Sequence, residues 1–81
     1  MPAEELLDSA GEKYDEGMLD EALTGFRGAV VAAETEGEAE LLLEARYWTG
    51  CVLSDLGEHD EAVREFGAAL DGLVELGDEL G

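Results

Sequence analysis

Apolar residues along this chain return every three or four positions, and they do so in four separate stretches. In the first, Leu6, Leu7, Ala10 and Tyr14 share one side, while Glu4, Glu5, Asp8, Glu12 and Asp15 take the other. That spacing predicts a helix over residues 3–16, with acids in its first turn to complement the helix dipole and Gly17 just past its end. In the second, Ala22, Phe26, Ala29 and Ala33 form a stripe widened by Leu19, Leu23 and Val30; it predicts a helix from about Asp20, as N-cap, to Glu34. The third stretch carries Leu42, Ala45, Thr49, Val52 and Leu56 on one face, with Leu41, Trp48 and Leu53 beside them. It predicts the longest helix, about Glu38 to Leu56, stopped by Gly57. The fourth carries Val63, Phe66, Leu70, Leu73 and Leu76, supplemented by Ala62 and Ala69, and predicts a helix from Asp60, again as N-cap, to about Leu76. Gly77 is expected to end it and residues 78–81 to fray. No alternating apolar and polar run suggests a strand. The fold class expected is all-α: four antiparallel helices in two helical hairpins with loops of two to four residues.

The second and fourth helices share more than a rhythm. Gly17 to Val30 reads GMLDEALTGFRGAV, and Gly57 to Leu70, forty positions later, reads GEHDEAVREFGAAL. Gly17/Gly57, Asp20/Asp60, Glu21/Glu61, Ala22/Ala62, Phe26/Phe66 and Ala29/Ala69 are identical, and Leu23/Val63 and Val30/Leu70 match in kind. The chain is therefore one domain, residues 1–81, made of one supersecondary unit used twice. Gly25 and Gly28 fall mid-helix, where each costs about 1 kcal/mol relative to alanine, a cost tolerated where another backbone comes close.

The pattern Gly-x-x-Asp-Glu-Ala-[Leu/Val]-x-x-Phe-x-x-Ala-[Val/Leu], preceded by a helix with a small residue and an aromatic, resembles the tetratricopeptide (TPR) repeat. The likeness covers nearly the whole chain, with repeat one at about residues 3–36 and repeat two at about 43–76, and implies a fragment of an alpha-alpha superhelix. The family's small crossing residue falls on Ala10 and Gly50, its early alanine on Ala22 and Ala62, its aromatic on Phe26 and Phe66, and the following alanine on Ala29 and Ala69. The chain departs from the family in its spacing of forty rather than about 34 residues, in lacking the repeat-ending proline, and in carrying Arg46 where repeat one has Leu6, with Tyr47 and Trp48 alongside. These features look like long-helix TPR variants of prokaryotic regulators. TPR domains bind peptides or protein segments, and the resemblance implies a partner groove at Glu4, Leu7, Gly11 and Tyr14 and at Glu44, Tyr47, Cys51 and Ser54. The lysines and asparagines with which some relatives clamp a carboxylate terminus are not at these positions; Tyr14 and Tyr47 with flanking acids suit an apolar or basic segment, unless they only fill space between hairpins.

Charge narrows the partner further. Twenty-two acids against four Lys plus Arg give a formal net charge of -18, which repels nucleic acid and anionic lipid. Either a basic protein segment is the partner or the acids keep the protein dissolved in concentrated salt, as in a halophilic proteome. Their even spread and the single lysine, Lys13, favour the latter. With no apolar run of membrane-spanning length and no basic stretch leading into an apolar one, a cytoplasmic location is the default expectation.

Catalytic and metal chemistry find no motif. Cys51 is single and set among apolar residues, which suits a small hydrophobe. His59, the only histidine, lies in the turn Gly57-Glu-His-Asp60, and Asp55, Glu58 and Asp60 around it serve equally as turn and capping residues. The run Glu34, Glu36, Glu38, Glu40 lacks a calcium-loop pattern. No enzyme, metal or cofactor is expected, and the function expected is a TPR-like interaction module, an adaptor or self-assembly unit. The alternative is a structural bundle, or a designed or excised repeat fragment, without a groove. Two repeats are fewer than the three or so that stabilise an array, and neither terminus reads as a polar cap. Val63, Phe66, Leu70, Leu73, Val74 and Leu76 have no later helix to cover them, so a symmetric homodimer through the fourth helix is expected.

Overall fold

The computed structural model describes the backbone of residues 2–80 and the side chains of residues 2–78. Among these residues the chain is all-helical: α1 Ala3–Asp15, α2 Leu19–Glu36, α3 Ala39–Asp55 and α4 His59–Leu80. Each helix packs on the next. α1 also touches α3, whereas α1 and α4 do not meet. The four helices thus form an open array and not a closed bundle, and the least dimension, 17 Å, is less than two helix diameters of about 10–12 Å.

All three turns use one device. The Gly17 N–H donates to the Tyr14 carbonyl at 3.0 Å and the Met18 N–H to the Lys13 carbonyl at 2.9 Å. Gly37 and Glu38 bond back to Glu34 and Ala33, and Gly57 and Glu58 to Ser54 and Leu53, in the same way. This is the Schellman closure, which needs a left-handed residue. Gly17, Gly37 and Gly57 supply it with φ of 79°, 70° and 85°. The turn then runs straight into the following helix, and this corrects two expectations. Asp20 and Asp60 are not N-caps: α2 starts at Leu19 and α4 at His59, and both acids lie in the first turn, where they complement the helix dipole. The carbonyls of Met18 and Glu58 open the next ladders, accepting from Ala22 and Ala62.

The end of α4 departs from expectation as well. Gly77 does not stop it. The helix runs on to Leu80, and α4, with 22 residues, is longer than α3, with 17. Gly77 keeps a negative φ, and a glycine that merely costs about 1 kcal/mol inside a helix is no terminator without the left-handed turn. Of the segment expected to fray, Gly81 lies outside the described residues.

The core is built where α1, α2 and α3 meet. Leu7, Ala10, Ala22, Phe26, Ala29, Ala45 and Val52 form it, with Leu6, Tyr14, Leu23, Val30, Leu41 and Trp48 packed around them. Phe26 stacks on Trp48 at 6.0 Å and 13°, and Tyr14 meets both rings edge-on at 6.5 and 5.9 Å, within the range in which aromatic pairs attract. Small residues set the helix spacing. A Cβ on Gly25 would stand 2.7 Å from that of Ala10, so α1 and α2 touch almost backbone to backbone there. In the second hairpin Gly50 makes room for the ring of Phe66, at 2.7 Å from where its Cβ would be. Gly28 has only Leu6 near it, at 4.0 Å, and no close approach explains it.

Candidate interaction surfaces

Two concave surfaces flank the array. The first lies between α1 and α3. Leu7, Gly11, Tyr14, Phe26 and Trp48 form its floor, Asp8, Glu12, Asp15 and Glu44 its rim, and its volume is about 650 Å³. Of the groove residues expected from the sequence, Leu7, Gly11, Tyr14 and Glu44 converge here. Tyr47 belongs to the second surface, and Glu4, Cys51 and Ser54 line neither. The contributions of Phe26 and Trp48, and of the acids Asp8, Glu12 and Asp15, did not follow from the family positions. Phe26 and Trp48 reach it because their rings stack on each other and meet Tyr14 edge-on.

The two tyrosines divide the roles left open by the sequence. Tyr14 is half-buried and donates from its hydroxyl to Asp55 Oδ2 at 2.5 Å, tying α1 to the end of α3. That hydrogen bond to Asp55, then burial, then the repulsion a phenolate would feel from the Asp55 charge, push its pKa up from 10 to about 12. Tyr14 is therefore a packing residue with one face on the groove. Tyr47 is 51% exposed and rests on Trp48 and Phe66, with centroids 5.6 and 5.7 Å away.

The second surface is the cleft between α3 and α4, lined by Leu43, Glu44, Tyr47, Phe66, Ala69, Leu70 and Leu73, with a volume of about 440 Å³. It is nearly all carbon apart from Glu44 and the Tyr47 hydroxyl. Beside it Val63, Leu70, Leu73 and Val74 stand 57–69% exposed along α4. Of the stripe expected to self-associate, those four are open and Phe66 is half-buried. Leu76 leaves the set: it is half-buried and turns toward Ala39, Leu42 and Leu43 of α3. The physical reason is angular, since Leu76 lies roughly 120–160° around the helix from Leu70 and Val74 at about 100° per residue.

One of the two end faces differs from expectation. α1 turns Glu4, Glu5, Asp8 and Glu12 outward, all exposed, and so does have a polar outer face; α4 does not. The cations leave both concave surfaces uncompensated. Lys13 pairs with Glu21 at 3.5 Å, Arg27 with Glu61 at 3.0 Å, and Arg46 with Glu34 and Glu65 at 3.5 and 3.6 Å. Arg64 sits with Glu58, His59, Asp60 and Glu61 at the α3/α4 turn. The acidic joint between the hairpins is drawn apart: Glu34 holds Arg46, and Glu36 accepts from the Ala3 N–H at 3.0 Å. Among the described residues no three His, Cys, Asp or Glu side chains converge on a point where a metal would sit, and no helix is long and apolar enough to cross a membrane.

Comparison of the chain with family models, with curated proteins and with solved structures yields no match.

Proposed function

We propose that this chain is a non-catalytic protein–protein interaction module of TPR-like type, and that the α1/α3 groove takes an extended protein segment carrying both apolar and basic side chains. The observation that carries this reading is the groove itself: an aromatic and aliphatic floor under four carboxylates, Asp8, Glu12, Asp15 and Glu44, with no basic residue in its lining. A floor of this kind offers burial to an apolar side chain, and the rim favours lysine or arginine beside it. Self-assembly is the other form of the module, and the open stripe on α4 is the surface it would use.

Trp48 is the sole tryptophan and lines the groove, so its emission reports occupancy directly. A short peptide alternating Leu with Lys or Arg is expected to shift that emission saturably. Glu12→Gln with Asp15→Asn is expected to weaken binding about tenfold, roughly 1.4 kcal/mol. The reading fails, in favour of a structural bundle with no ligand groove, if the emission does not saturate or if an all-polar peptide of equal charge binds as well.

A further inference from the structure

We infer that the α3/α4 cleft is a second docking site and that its occupant is a basic amphipathic helix of a partner protein, laid along α4 as α3 lies along α2. This extends the interaction-module reading to a different surface and a different ligand shape.

The internal repeat supplies the first step. Leu43, Tyr47, Phe66, Ala69, Leu70 and Leu73 of the cleft stand forty positions after Ala3, Leu7, Phe26, Ala29, Val30 and Ala33. In the first hairpin that set is buried, apart from half-buried Val30, with Phe26 stacked beneath Trp48 of α3. In the second hairpin Tyr47, Leu70 and Leu73 are exposed and Phe66 is half-buried. The cleft is thus a helix seat built to the same register as one already filled within the chain. α3 shows what fills such a seat: Leu41, Ala45, Trp48 and Val52, recurring at helical spacing.

The charges decide whose helix it is. A second copy docking head to tail would present α1, and forty positions before Ala45, Trp48 and Val52 stand Glu5, Asp8 and Glu12, all exposed acids. Seating them would bury carboxylates on an apolar floor. A second copy could also dock through its own α4, and in the antiparallel arrangement like flanks meet. The flank beside Leu70 and Val74 carries Asp71, Glu75 and Asp78 against the one cation Arg64, so acids outnumber cations across such a contact between chains of net charge -18 each. Across the cleft, Glu40 and Glu44 of α3 are also exposed. Carboxylates therefore border the apolar floor on both sides, and the complementary occupant is a helix with an apolar stripe between lysines or arginines.

The test uses the full chain and a fluorescein-labelled peptide of about 18 residues, five helical turns, with a Leu/Phe stripe at three- and four-residue spacing and Lys/Arg elsewhere. A second peptide has the same composition with its stripe scattered. The striped peptide is expected to gain helicity on binding and to bind at least about tenfold tighter than the scattered one, whose apolar and basic side chains suit the α1/α3 groove alone. Leu70→Glu and Val63→Glu are expected to cut that affinity about tenfold, although each adds a negative charge that by itself would attract a basic peptide. Both side chains are exposed, so the fold is not at stake. Glu5→Gln with Glu16→Gln, exposed and lining neither surface, is expected to change it less than about threefold. Equal binding of the two peptides, or indifference to Leu70→Glu, would overturn the proposal. So would a dimer of the unliganded chain in the same dilute buffer that Leu70→Glu makes monomeric, because the occupant would then be a second copy. The Trp48 titration reads the α1/α3 groove independently, so either surface can fail without the other.

Discussion

The two hairpins share a turn and the residues packed just after it, forty positions apart, and they are not equally buried. Gly17 and Gly57 turn at almost the same left-handed φ, 79° and 85°, and Ala22 and Ala62 are both buried. Phe26 and Phe66 occupy the same position of the repeat, yet Phe26 is 1% exposed and Phe66 is only half-buried. The difference lies in the neighbour. Phe26 has its own α1 on one side and Trp48 of the next hairpin on the other, whereas among the described residues the rings and close approaches at Phe66 come from Gly50 and Tyr47 of its own hairpin. A repeat therefore sets the turn and the contact inside a hairpin, and the following element sets whether the outer face is core or surface.

Truncating each phenylalanine would break or sharpen this contrast most. Phe26→Ala removes a ring packed on both sides and is expected to cost about 3–5 kcal/mol, enough to unfold so small a domain. Phe66→Ala is expected to cost about half as much. Denaturant midpoints measured side by side check it, and equal losses would mean that the second hairpin is as fully packed as the first.

Next in size are the glycines of α2. Gly25→Ala gains about 1 kcal/mol of helix propensity but forces its Cβ into that of Ala10, an overpacking of about 1–3 kcal/mol, so a net loss is expected. Gly28→Ala meets only Leu6 at 4.0 Å and is expected to stabilise by up to about 1 kcal/mol. Thermal melts of the two variants should move in opposite directions; the same sign for both would show that the α1/α2 approach is not tight at Gly25.

The smallest effect concerns the link between the hairpins. The Tyr14 pKa is raised in the folded chain, so its contribution to stability is fully present below pH 10 and is lost as pH rises through about 12. Ultraviolet titration is expected to show Tyr14 ionising near pH 12, with Tyr14→Phe removing that transition and Asp55→Asn lowering it toward 10. An unchanged titration in Asp55→Asn would mean that the hydrogen bond does not join α1 to α3 in solution.

Much of the architecture was legible along the chain because its causes are local. Apolar spacing marked four helices, and Gly17, Gly37 and Gly57 marked their turns. The errors came where one signal stood for two physical situations. Asp20 and Asp60 look like N-caps, but a Schellman turn two residues earlier had already launched the helix. Gly77 looks like Gly17 and Gly57, but no left-handed turn follows it. Of the groove positions, Leu7, Gly11, Tyr14 and Glu44 converge, whereas Tyr47 faces the other cleft, because helix spacing says which residues share a stripe and not which neighbouring helix that stripe meets. The α3/α4 cleft could have been found by adding forty to each residue that seats α3.

By itself, then, the sequence determined the all-helical class, the hairpin pairing and the repeat, since each depends on contacts between residues a few positions apart or on the backbone freedom of a single glycine. Tertiary structure alone decided that the array stays open, that Trp48 closes over Phe26 while Phe66 is left half-covered, and that Leu76 turns in toward α3. Those outcomes depend on which helix lies against which, and a pattern that fits either neighbour equally well does not choose between them.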